Sequence, residues 1–366
     1  MAASVVVVHH ALELDISPWY STRLPGYLAV DMFFVLSGFV LALTYADAFA
    51  PERGNRAYWD FLARRIARIY PIFLVVLAWT VARMVVLGPH LPFVPATFVC
   101  IAINALLIQG WGLAPALIAA SWSVSTEIAA YVAFPPLLRS TVFCRPVRAL
   151  GAAVAAAALL GTAVVLAPRI ALPGHGTLDI YDGMTVLPLL RCIAGFVFGL
   201  LMFRLALRPA VLAIASRNWV AALLLGALVM TFTLRLGDLA VYPLFPAIVL
   251  VCYANRGWVD RVLGHGITYS LGVLSYAIYL VHSEVYWELQ YLVQRSGISV
   301  LSVPAAIVFG VIAFAIILGA AALAHVAIEV PGRHLVRRWL TGSWRSGWRR
   351  FSGAASLRTE NLTVDP

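Results

Sequence analysis

Two histidines, His9 and His10, end an apolar run that begins at Val5. An imidazole titrates near neutrality and is the usual base for taking a proton from a hydroxyl. An ionisable group in such a run is costly enough to be a functional hypothesis in its own right; the plainer alternative is a hydrogen bond to a neighbouring helix. Farther on, Asp31 stands inside Gly26-Tyr-Leu-Ala-Val-Asp-Met-Phe-Phe-Val-Leu-Ser37-Gly38-Phe39. Its carboxylate could hold a catalytic imidazole in one tautomer, or cap a helix start. Ser37-Gly38 reads as a pair of small residues for close helix packing rather than as a nucleophile.

A second constellation is cationic. Arg64, Arg65 and Arg68 lead into Ile69-Tyr70-Pro71. Arg65 and Arg68, three apart, share one helix face and can grip a phosphate jointly through planar donors. Arginines at the inner end of a span are also ordinary topology anchors. In Ser121-Trp122-Ser123-Val-Ser125-Thr-Glu127 the carboxylate enters an apolar run, where it must face protein or water. It is either an acid/base partner or an acceptor for bundle hydroxyls. Tyr276 and His282, then Glu329 and Arg333, are further polar residues in apolar surroundings. Cys100, Cys144, Cys192 and Cys252 are scattered singly, without CxxC spacing, and read as packing residues, so no metal and no permanently bound cofactor is expected.

Composition dictates the elements that must position these residues. The 366-residue chain is 62% hydrophobic and 11% charged, whereas soluble domains carry roughly 25% charged residues, so lipid must cover the apolar excess. Residues 149–167 and 303–324 hold no Asp, Glu, Lys or Arg, over the length of about 20 residues that a helix needs to cross the hydrocarbon. Continuous apolar runs, without the alternation of barrel strands, select helices. The predicted fold is therefore all-α, a polytopic transmembrane bundle. Spans are predicted near 1–14, 27–45, 69–87, 149–167, 185–203, 218–234, 239–254, 267–287 and 301–325.

The net charge of +10 comes from basic clusters between spans, at 64–68, 204–217 and 333–350, which is a topology signal and no nucleic-acid footprint. Placing these clusters on the cytoplasmic side demands an odd number of crossings between 88 and 139. One crossing plus a re-entrant or interfacial piece there gives about ten spans with both termini cytoplasmic, in the plasma (inner) membrane. Residues 1–335 form the membrane domain, and 336–366 a basic cytoplasmic tail, an interfacial helix followed by disorder. Trp19, Tyr20, Trp111 and Trp287 could stack on sugar faces or serve as interfacial belt residues.

In this order and spacing, GYxxVDMFFVLSGF, RRIARIYP, SWSxSTE with a following tyrosine, LSYxIYLxH and ExPGR resemble the acyltransferase-3 family of membrane-bound O-acyltransferases, over almost the whole chain. Members of that family acylate, most often acetylate, hydroxyls on bacterial surface polysaccharides, peptidoglycan, signalling oligosaccharides and some macrolide antibiotics. The resemblance implies a bundle of about ten helices and an acyl-CoA donor bound from the cytoplasm. It also implies a first-span histidine that maps onto His9, since VVVVH matches the family's VVxxH, and an RxxR motif that maps onto Arg65 and Arg68. The basic residue that the family usually places before that histidine has no counterpart in this sequence. Arg64 and Tyr70 are expected beside the two arginines in donor binding. His9, polarised by Asp31 or Glu127, is expected to deprotonate the acceptor hydroxyl or to accept the acyl group briefly itself. The expected partners are acyl-CoA, a carbohydrate or glycolipid acceptor and the bilayer, with no nucleic acid. A rival from another class is a transporter or flippase, which would fit the spans and buried polar groups but would favour matched repeats, and none is visible.

Overall fold

The computed structural model describes residues 2–14, 16–18, 25–53, 57–87, 98–170, 176–181 and 184–341. Trp19, Tyr20, the loop at 88–92 and the tail from 342 to 366 lie outside the described residues, as does most of the expected cytoplasmic segment 336–366. Every regular element among the described residues is helical. The first half contains α1 (Ala2–Leu12), α2 (Ala29–Tyr45), α3 (Tyr58–Leu87), α4 (Phe98–Ala105), α5 (Ser121–Val132), α6 (Phe134–Thr141), α7 (Pro146–Ile170) and α8 (Leu187–Ala206). The second contains α9 (Pro209–Ala215), α10 (Asn218–Thr233), α11 (Asp238–Val241), α12 (Leu244–Ala254), α13 (Trp258–Gly264), α14 (Gly266–Val273), α15 (Ser275–Arg295), α16 (Val303–Ala324) and α17 (Val330–Thr341). A π-helical stretch, His325–Glu329, joins the last two.

Five helical stretches are long and apolar enough to cross a membrane: Gly26–Phe49, Tyr58–Val86, Pro146–Ile170, Leu187–Ala206 and Val303–Leu340. Two more candidates are bent pairs, α9 with α10 at 65° and Asp238–Ala254 with α13 at 86°, which bring the number to seven if each is one span. The sequence pattern predicts more, and the differences have local causes. The first apolar helix has only 11 residues. The segment expected at 267–287 breaks at Leu274, and the helix after the break carries Glu284, Glu288 and Arg295. Between 98 and 141, where one crossing and a re-entrant or interfacial piece were expected, the chain forms three short helices, interrupted where Leu107 and Gly112 adopt positive φ of 54° and 85°.

The centre of the bundle is the seam between α2 and α8. Apolar surface gives no net drive between helices in lipid, so backbones must approach closely for van der Waals contact. A Cβ on Gly38 would collide with the Phe196 carbonyl, and one on Gly199 with the Val35 carbonyl. Gly195 and Gly199 form a GxxxG pair facing Phe34 and Val35. Gly38 therefore has the packing role its sequence context suggested. A similar contact seats α17, because Gly332 lies directly on Pro71 of α3.

Candidate active site

Helices from both halves of the chain, α2, α3, α5, α14 and α15, close on one cavity of about 340 Å³. α2 contributes Phe33 and Ser37, α3 contributes Arg65 and Arg68, α5 contributes Ser123, Glu127 and Tyr131, and α15 contributes Ser275, Tyr276 and Tyr279. Both arginines of the RxxR pair thus face the same space, as their three-residue spacing requires. Arg65 Nη2 donates to Tyr45 Oη at 3.2 Å, with its guanidinium 5.5 Å from that ring's centroid. Its Nε is buried with no hydrogen-bond partner among the described residues. Arg68 is exposed at the rim. Ser37 donates to Glu127 Oε1, so this serine orients a carboxylate, and Tyr276 Oη donates to the Ile69 carbonyl at 2.7 Å, fixing α15 beside Arg68.

The serine-rich motif divides between two tasks. Ser123 and Glu127, four apart, present one face to the cavity, where Ser123 Oγ lies 2.7 Å from Tyr279 Oη. Ser121 and Ser125, also four apart, support the irregular stretch before them. Gln109 Nε2 donates to Ser121 Oγ at 3.0 Å, the Gly110 amide donates to Ser125 Oγ at 3.0 Å, and Ser125 Oγ donates to the Leu107 carbonyl at 2.8 Å. Non-helical backbone at membrane depth is tolerated only when its polar groups are met in this way.

The histidines form a second cluster behind Tyr279. His9 is buried, and its Nε2 stands 3.2 Å from Glu13 Oε2, one helical turn away. The His9 and His10 rings are 5.2 Å apart and the His10 and His282 rings 5.0 Å, both edge to face. The Tyr279 ring lies 5.8 Å from that of His282. Gly26 is required here, since a Cβ at that position would collide with His9 Cβ.

Several expected site residues lie elsewhere. Asp31 does not orient His9: it is fully buried against Arg191, with Nε to Oδ1 at 2.7 Å and Nη2 to Oδ2 at 2.6 Å. Arg191 also donates to the carbonyls of Ile180 (3.1 Å) and Tyr27 (3.2 Å), and Trp122 lies 5.4 Å from its guanidinium. Asp31 and Trp122 therefore complete a scaffold ion pair, because a buried guanidinium needs a bidentate partner and satisfied donors. Glu127 is bonded to Ser37, and it is Glu13 that lies against His9. Arg64 points away from the cavity to Asp60. Tyr70 donates to the Leu106 carbonyl at 3.2 Å and ties α3 to the end of α4. Glu329, fully buried, clasps His325 Nδ1 at 2.9 Å and Arg333, fastening the π stretch to α17.

Other polar groups were not singled out by sequence pattern. Arg191 and Glu13 are two. Asp238 accepts from Tyr27 Oη at 2.8 Å and from the Leu178 amide at 2.7 Å, holding the segment around Leu178 against the turn that precedes α2. At the far end of α3, Arg83 pairs with Glu284 at 2.8 Å over the Trp287 ring at 4.1 Å, which assigns Trp287 to an internal contact. The signals were present: a lone charge inside an apolar span for Arg191, and i,i+4 spacing for Glu13.

Fold and site together define a helical membrane protein whose largely apolar cavity holds two guanidinium groups, a carboxylate and hydroxyls. A family model described as an acyltransferase domain matches residues 1–325, and the chain belongs to this acyltransferase-3 family. It is similar to "Acyltransferase MdmB" of Streptomyces mycarofaciens, 30% identical over 339 residues that cover 86% of this chain and 82% of that protein. A shorter likeness, 44% over 62 residues, links 17% of the chain to 31% of "Protein 2 in picA locus" of Rhizobium radiobacter. No solved structure matches. Acyl transfer is accordingly the class of reaction that the comparisons support for this chain.

Proposed function

We propose that this protein is an O-acyltransferase that takes an acyl group, most often acetyl, from coenzyme A and places it on a hydroxyl of a sugar-containing acceptor. Arg65 and Arg68 hold the donor's phosphates through charge-assisted hydrogen bonds, and the pantetheine arm enters the cavity and runs past Ser123 and Tyr279, so that the thioester comes within reach of His9. His9, next to Glu13, takes the acceptor's proton or receives the acyl group itself. In this reading the chain crosses the plasma (inner) membrane about ten times with both ends cytoplasmic, so that donor and acceptor meet within the bilayer.

The observation that carries this reading is the gathering of Arg65, Arg68, Ser37, Ser123, Glu127 and Tyr276 around one cavity, from helices far apart in the chain. Arg65 in particular keeps a buried Nε without a partner among the described residues, the state expected of a donor awaiting a ligand. The first test is coenzyme A binding by purified protein in nanodiscs: affinity should fall in Arg65→Ala and Arg68→Ala, and binding indifferent to both would end this reading. The acceptor is sought by mass spectrometry of glycans and lipids from cells with and without the protein, looking for a lost ester.

A further inference from the structure

The start of α17 brings a third guanidinium group to the RxxR pair. Gly332 lies directly on Pro71, one helical turn after Arg68, which sets the neighbouring Arg333 beside α3. Arg333 is outside the cavity wall, yet it stands within the fields of Arg65 and Arg68. Tyr276, a wall residue whose Oη donates to the Ile69 carbonyl at 2.7 Å, lies within the fields of both Arg68 and Arg333. Arg333 Nη2 donates to Glu329, while its Nε is buried and meets no hydrogen-bond partner among the described residues, as is also true of Arg65. An unmet buried donor is costly, and a native structure that keeps two of them side by side calls for a reason.

Charge points the same way. Three guanidinium groups at this range repel one another, and among the described residues the carboxylate bonded to any of them is Glu329, which also takes His325 Nδ1 at 2.9 Å. Glu127 is bonded by Ser37 and Asp60 by Arg64. Cations gathered in this way make a positive field that draws an anion. Glu329 is fully buried and sits in the π stretch, a kind of turn that recurs at functional sites; held by His325, it gives the Arg333 side chain a fixed anchor.

We infer that Arg333 is a third ligand of the donor's phosphates, reaching them from α17 while Arg65 and Arg68 reach them from α3; the inference rests on the acyl-CoA reading above. Coenzyme A carries phosphate at two places, in its diphosphate bridge and on its ribose, and so offers more anionic oxygens than two guanidinium groups can engage. Glu329 keeps Nη2 of Arg333, which leaves Nε for a phosphate oxygen in a charge-assisted hydrogen bond. Arg333 is a binding residue and takes no part in the chemical step.

The test divides the ligand. Purified protein in nanodiscs is titrated with coenzyme A, with adenosine 3′,5′-bisphosphate, which has phosphates without the arm, and with pantetheine, which has the arm without phosphates. Arg333→Gln removes the charge and keeps an amide donor for Glu329. It should raise Kd about tenfold or more for the two phosphate-bearing ligands, the loss of one charge-assisted hydrogen bond, and leave pantetheine unchanged. Arg338→Ala, at an exposed position of the same helix, should alter none of the three. Arg333→Lys keeps a point charge without the planar fork; it should lose severalfold on the same two ligands only, and it decides the matter if Arg333→Gln does not fold. Unchanged affinity for coenzyme A in the variants that fold, or an equal loss on pantetheine, would reduce Arg333 to a clamp for α17 and overturn the inference. Wild-type protein that binds no coenzyme A, or binds it indifferently to Arg65→Ala and Arg68→Ala, would instead overturn the donor reading beneath it.

Discussion

Arg191 and the pair Arg65 and Arg68 are cations set into one bundle, yet they are treated in opposite ways. Arg191 is closed on every side, by a bidentate carboxylate, two carbonyls and an indole. Arg65 keeps Tyr45 as its hydrogen-bond partner and an unmet Nε, and it opens with Arg68 onto a cavity. Burial alone would have marked Arg191 as the functional residue, since a charge in lipid is by default suspect. The bonding of its donors shows the reverse: a guanidinium with a partner on each of its three nitrogens holds helices together, and one with a nitrogen to spare is available to a ligand.

That contrast can be broken at its strong end first. Asp31→Ala would strand the Arg191 charge and should destabilise the bundle by roughly 3–5 kcal/mol, seen as a large drop in melting temperature or loss of folded protein from the membrane. Combining it with Arg191→Met should recover much of that loss, and a double variant no better than the single would show the pair is not the scaffold. His9→Ala should lower kcat by roughly 100- to 10,000-fold while the protein still folds and binds coenzyme A, measured by steady-state kinetics beside a binding isotherm. Arg65→Ala and Arg68→Ala should each raise the acyl-CoA KM about tenfold or more, the equivalent of one charge-assisted hydrogen bond of about 1.5–3 kcal/mol, with the melting temperature unmoved. Arg64→Ala sharpens the comparison by its smallness: it removes a partly exposed i,i+4 pair with Asp60, a kind worth about 0.5 kcal/mol, and should leave KM where it was.

Much of this was legible in the chain. Apolar runs located the long helices, and the three-residue step from Arg65 to Arg68 put both on one face because a helix repeats every 3.6 residues. Ser123, Glu127 and Tyr276 were chosen as polar residues in apolar context, and the cavity collects them together with Ser37, which was read as a packing residue and instead donates to Glu127. What failed to show was partnership. Asp31 lies closer in sequence to His9 than to Arg191, but the bond it makes spans 160 positions, and no local rule finds such a partner. Length and hydropathy applied to the helices give five to seven spans, fewer than the ten expected, in part because α15 carries charges that contact Arg83 inside the protein.

The π-helical stretch at His325–Glu329 has a bearing on how related sequences should be aligned. A wide turn of this kind holds one residue more than an α turn, so it offsets the azimuth of the downstream helix by about 100° relative to an uninterrupted one. Removing a single residue, Ala327 for instance, would let the segment relax to α-helical winding and swing Gly332 off Pro71. A one-residue gap at this position, which in a surface loop would be trivial, would therefore change how the terminal helix is aimed, and should be scored as a structural event.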